Sequence, residues 1–76
     1  MIYVDMKCIE MKKNIDLRFD ESISVNDLLH EIGQKLGVKA ERTQVASVNK
    51  KQILNKNRSF SEQGVCGGDT LILIEN

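Results

Sequence analysis

Gly67-Gly68-Asp69-Thr70-Leu71-Ile72-Leu73-Ile74-Glu75-Asn76 closes the 76-residue sequence, and its reading as a loose tail or as a strand settles the architecture. The segment contains the only Gly-Gly pair, and an apolar run, Thr70 to Ile74, follows it. Glycine tolerates positive φ, so Gly67-Gly68 suits a tight turn that leads into a strand. Successive strand side chains alternate between two faces. If Leu71 and Leu73 face a core, Ile72 and Ile74 face the opposite way.

A strand needs partners, and the rest of the chain supplies them. Ile2, Val4, Met6 and Cys8 alternate with Tyr3, Asp5 and Lys7, the period of two of a half-buried strand. Ile15-Asp16-Leu17-Arg18-Phe19 repeats the pattern after Lys12-Lys13-Asn14, a polar stretch suited to a hairpin turn.

The pattern then changes period. Ser24-Val25-Asn26-Asp27 has the form of a capping box, with Ser24 placed to accept from the Asp27 N–H. Val25, Leu28, Leu29, Ile32 and Leu36 recur at spacings of three and four, which predicts a helix over 25–36 with one apolar stripe. Gly37 sits where a left-handed residue ends a helix, and Val38 can pack back on the last turn. Gly33, inside the helix, is expected to allow close packing against the sheet, because it otherwise costs about 1 kcal/mol relative to Ala.

Beyond the helix, Gln44 to Val48 reads as a third strand, Asn49-Lys50-Lys51 as a turn and Gln52-Ile53-Leu54 as a short fourth strand. Asn55 to Arg58 is a loop, and Ser61-Glu62-Gln63-Gly64 has the composition of a single helical turn held to the core by Phe60 and Val65. The order strand, strand, helix, strand, short strand, strand gives an α+β class. With the first and last strands adjacent and parallel, it is the β-grasp arrangement: a mixed five-stranded sheet with one main helix packed on one face. Residues 1–76 are expected to form one domain.

Composition narrows the function. Eleven basic and eleven acidic residues cancel, so no global field draws the chain to nucleic acid or anionic lipid. No segment approaches the ~18 apolar residues of a membrane span, and the N-terminus lacks a signal-peptide pattern, so a cytoplasmic location is expected. Cys8 and Cys66 have no metal-ligand or Cys-x-x-Cys spacing.

Lys51-Gln52-Ile53-Leu54, Arg58-Ser59-Phe60-Ser61-Glu62 and Thr70-Leu71-Ile72-Leu73 resemble the ubiquitin segment that runs from the fourth strand to the last. Tyr3-Val4-Asp5, Asp16-Leu17-Arg18-Phe19, Val48-Asn49-Lys50 and Gly64-Val65-Cys66-Gly67-Gly68-Asp69-Thr70-Leu71, in that order, resemble more closely the bacterial YukD/EsaB proteins. Those proteins accompany type VII (WXG100, or ESX-like) secretion systems. The resemblance implies a noncatalytic accessory or regulatory component that works in the cytoplasm beside a membrane secretion complex. Its implied partners are protein components of that machinery.

Two other readings remain to be weighed. A modifier or sulfur carrier of the ThiS type needs a free C-terminal Gly-Gly, whereas here the terminal carboxylate belongs to Asn76. A free-standing RNA or ligand binder is disfavoured by neutral charge and by the scarcity of aromatics, limited to Tyr3, Phe19 and Phe60.

For a binding role the candidate surface follows from the last strand. Either Val45 with Ser47 or Ala46 with Val48 points inward on the third strand, and the resemblance favours Val45 inward. Val48 then lies outside with Ile72 and Ile74, and these three residues are the candidate protein-interaction site. Long neighbours such as Lys50 or Arg18 are the groups that could cover it. Cys8 is expected to be a buried thiol, Cys66 a more exposed one, and His30 a solvent-facing helix residue. No catalytic, metal or cofactor site is expected, and the outer strands leave a weak homodimer open.

Overall fold

The computed structural model describes residues 1–75. Strand β1 (Ile2–Cys8) pairs antiparallel with β2 (Lys13–Phe19), from Ile2 opposite Phe19 to Cys8 opposite Lys13. The hairpin turn comes earlier than Lys12-Lys13-Asn14: the Lys12 N–H donates to the Ile9 carbonyl at 3.1 Å, and Lys12 takes a φ of 53°. Lys13 and Asn14 consequently belong to β2 rather than to the turn. Val4, Met6 and Cys8 are buried, while Tyr3, Asp5 and Lys7 face away from the core.

Helix α1 (Val25–Leu36) forms where the sequence predicts it, capped by Ser24 Oγ accepting from the Asp27 N–H at 3.1 Å. Val25, Leu28, Leu29 and Ile32 bury the apolar stripe. Gly37 ends the helix with φ 75°, and the Gly33 carbonyl accepts from the N–H groups of both Gly37 and Val38. The close approach at Gly33 is therefore to the loop that leaves the helix, not to the sheet. A Cβ there would lie 2.8 Å from the Val38 carbonyl oxygen.

A 3-10 turn, Ala40–Arg42, follows and was not visible in the sequence pattern; Ala40 anchors it in the core. Strand β3 is Thr43–Ser47, one residue earlier than Gln44 to Val48. Thr43, Val45 and Ser47 point inward and are almost completely buried, which resolves the register of this strand. The two polar members are satisfied: Thr43 Oγ1 donates to the Lys39 carbonyl and Ser47 Oγ accepts from the Lys50 N–H.

Strand β4 is only Gln52–Ile53, and β5 is Thr70–Glu75. The sheet order is β2-β1-β5-β3-β4, with β1 and β5 parallel and the other pairs antiparallel. Between β4 and β5, a second 3-10 turn (Ser61–Gln63) closes the core from below. Phe60, fully buried, enters from its N-terminal side and meets Phe19 with ring centroids 4.7 Å apart. A reciprocal box holds the turn: Ser59 Oγ accepts from the Glu62 N–H, and Glu62 Oε1 accepts from the Ser59 N–H. Among the described residues no helix is long and apolar enough to cross a membrane.

Candidate functional site: the open face of the sheet

The helix covers one face of the sheet and leaves the other to solvent. Register fixes what stands there. Ala46 lies opposite Ile72 on one side and opposite Ile53 on the other, while Gln44 lies opposite Ile74. Because Val45 and Leu73 are buried on the helix side, Ala46, Ile72, Ile74 and Ile53 all project from the open face. Val48 is not part of β3, but its N–H donates to the Thr70 carbonyl at 3.0 Å, so it extends the same ladder.

The three sequence-named residues thus occupy one face. Val48 is 46% exposed and Ile74 37%, while Ile72, flanked on both sides, is half-buried. Two further members had not been singled out. Ile53 is 60% exposed, and Ala46 forms the floor between Ile53 and Ile72. The signal for Ile53 was its neighbour Leu54: one of two adjacent strand aliphatics must face out, and Leu54 is buried. The long side chains that could have covered the patch are directed elsewhere. Arg18 lies over the Tyr3 ring at 5.6 Å, and the Lys50 stem runs past Gly64, 3.5 Å from where a Cβ would stand.

The β1–β2 half of the face is polar: Tyr3 stands opposite Arg18, Asp5 opposite Asp16, and Lys7 opposite Asn14. The Asp5 N–H donates to Asp69 O at 3.0 Å on the β5 side, so Asp5 and Asp16 form a pair without mutual backbone bonds. Such pairs bring Cα atoms to about 4.5 Å and side chains closer still. Two like charges therefore sit directly across from each other beside the aliphatic patch.

The Gly-Gly pair belongs to the turn that delivers β5. Gly68 has a φ of 89° and its N–H donates to the Tyr3 carbonyl at 2.7 Å, while the Asp69 N–H donates to the Cys66 carbonyl at 3.2 Å. Asn49 Oδ1 accepts from the Thr70 N–H at 2.8 Å and fastens the start of the strand.

The thiol and imidazole groups of Cys8, Cys66 and His30 are not members of this patch. Burial pushes the Cys8 thiol pKa up, with a smaller opposing pull from the Lys13 charge. Cys66 is exposed, its backbone N–H donating to Asp69 Oδ2, and His30 projects from the outer side of α1. Among the described residues no three His, Cys, Asp or Glu side chains gather in a metal-binding group.

A five-stranded mixed sheet with a single crossing helix is the ubiquitin-like β-grasp fold, and the comparisons agree. A computationally designed protein based on the template of human erythrocytic ubiquitin has a TM-score of 0.84 and 21% identity, covering 100% of this chain and 92% of its own. The N-terminal ubiquitin-like domain in the 4931431F19Rik protein also has a TM-score of 0.84, with 20% identity over 99% of this chain and 74% of its own. No curated protein matches the sequence. Residues 3–73 match the family model described as WXG100 protein secretion system (Wss), protein YukD. The chain belongs to that family, the ubiquitin-like YukD proteins of type VII secretion.

Proposed function

We propose that this chain is a noncatalytic, noncovalent protein-binding module of a type VII secretion system, acting in the cytoplasm beside the membrane-embedded machinery. Its contact surface is the open face of the sheet, centred on Ile72 and Ile74 with Val48 and widened by Ile53. The observation that carries this reading is the exposed aliphatic patch held on a rigid sheet: several aliphatics gathered on one face, with an alanine floor, mark a docking surface more strongly than scattered ones. Membership of the secretion family supplies the class of partner. Noncovalent action is supported by the place of Gly67-Gly68, which is hydrogen-bonded into the turn before β5 and cannot act as a free tether without unravelling that strand.

The test uses the soluble domain of the secretion ATPase and the WXG100 proteins of the same genome, titrated calorimetrically with the chain. The V48D/I72D variant is expected to retain its circular dichroism spectrum and lose binding. Binding that survives in that variant overturns the open-face reading. Incubation with an activating enzyme and ATP is expected to leave the intact mass unchanged; a mass shift would instead support the carrier reading.

A further inference from the structure

The sheet ends at β2, whose outer edge is unpaired. The orientation of its backbone follows from its neighbour. The Asp5 N–H and the Tyr3 carbonyl both turn toward the β5 side, bonding Asp69 and Gly68. Their cross-strand partners, Asp16 and Arg18, therefore direct N–H and C=O outward, as does Asn14 opposite Lys7. No hydrogen bond from another element reaches these groups among the described residues. The edge has no proline, and three alternate residues of the seven-residue strand, Asn14, Asp16 and Arg18, present their backbone groups outward. Behind it, a groove of about 360 Å³ runs between β2 and α1, floored by Leu17, Ile23, Leu28 and Ile32.

We propose that a second copy of this chain occupies the edge, the two β2 strands pairing antiparallel about a two-fold axis that passes at Leu17. An antiparallel partner must oppose outward-directed residues to outward-directed residues, which leaves few registers. With the axis at Asp16, that carboxylate meets its own copy, and with the axis at Arg18, two guanidinium groups meet. With the axis at Leu17, Asp16 of each copy stands opposite Arg18 of the other. Both charge pairs are then complementary, and the same two residues exchange four backbone hydrogen bonds. On the helix side, Leu17 meets its own copy and Ile15 meets Phe19, so the apolar row continues across the axis. The arrangement also answers the like-charge pair within each chain, since Arg18 of the second copy, moving off the Tyr3 ring, brings a positive charge to Asp16 beside Asp5. The contact is isologous and closes at two copies, with both helices on one face of a continuous ten-stranded sheet.

Sedimentation equilibrium of the full chain tests it, because a small edge contact assembles only at high concentration. The mass is expected to climb from one chain toward two between roughly 10 μM and 1 mM. D16R places arginines opposite arginines and R18D places aspartates opposite aspartates, both at exposed positions. Each variant alone is expected to weaken dimerisation at least about tenfold. An equimolar mixture of the two is expected to dimerise again, and the doubly swapped D16R/R18D chain to dimerise by itself. A chain that stays monomeric at the highest concentration overturns the proposal. So does a mixture that fails to reassociate, or a dimer that V48D/I72D dissolves while the single charge variants do not.

Discussion

The carbonyl oxygen of Val38 closes over Gly33 so tightly that a Cβ on Gly33 would lie 2.8 Å from it. The contact ties the last turn of α1 to the chain that has just left it, and the neighbouring group is backbone, which cannot swing aside. Alanine is the better helix former by up to about 1 kcal/mol, so propensity and packing make opposite forecasts for Gly33→Ala. Packing is expected to win, with a net loss of roughly 1–3 kcal/mol in urea unfolding. A variant as stable as the parent would show that the Val38 loop yields freely.

Asp5 and Asp16 oppose each other on the open face, and neither takes part in an ion pair with Lys7 or Arg18. Asp5→Asn keeps the shape and removes one charge. It is expected to stabilise the protein by roughly 0.2–1 kcal/mol in low salt. That gain should shrink in 1 M salt, where the Debye length is about 3 Å. Equal gains at both ionic strengths would point to a non-electrostatic cause.

Glu62 accepts from the backbone N–H and the hydroxyl of Ser59 and lies near Arg58, and together these hold its pKa below the ordinary carboxylate value. A carboxyl with a depressed folded pKa stabilises the fold above its unfolded value, about 4.3, and loses that contribution as pH falls through the folded value. Glu62→Gln should therefore flatten the acid limb of stability against pH below about 4.3. Asp20, lowered by its bonds to Ser22, titrates in the same direction and keeps part of the slope. An unchanged acid limb would assign the slope to other groups.

Phe60 is the largest fully buried side chain and fills the space under Phe19. Phe60→Ala is expected to cost about 3–5 kcal/mol. Much of the stability of so small a domain would go with it, since folded domains hold only about 5–15 kcal/mol. Phe60→Leu should be milder and leave a cooperative transition. Thermal unfolding followed by circular dichroism separates the two.

Much of this architecture could be read from local pattern. Helix α1 was legible to the residue because capping serine, apolar stripe and terminal glycine all act within a few positions of one another. The alternation of β1 and β5 was equally plain, and with it the division between Leu71 or Leu73 and Ile72 or Ile74. Less was visible where the chain is irregular. The Ala40–Arg42 turn carries no periodicity, and the hairpin turn depends on Lys12 accepting a positive φ, for which its residue type gives no cue.

The open face shows the same boundary. Sequence alternation determined that Ile72 and Ile74 share a side, because a strand's period of two is a property of the backbone. Only the tertiary structure decided the strand register that sets Ala46 between Ile53 and Ile72, brings Val48 to the end of the patch through Thr70, and places Asp5 against Asp16. Two of those pairings, Ala46 with Ile72 and Val48 with Thr70, join residues far apart in the chain. They are fixed by which buried faces, Val45 and Ser47 among them, fit together beneath the helix, and local pattern holds no record of that fit.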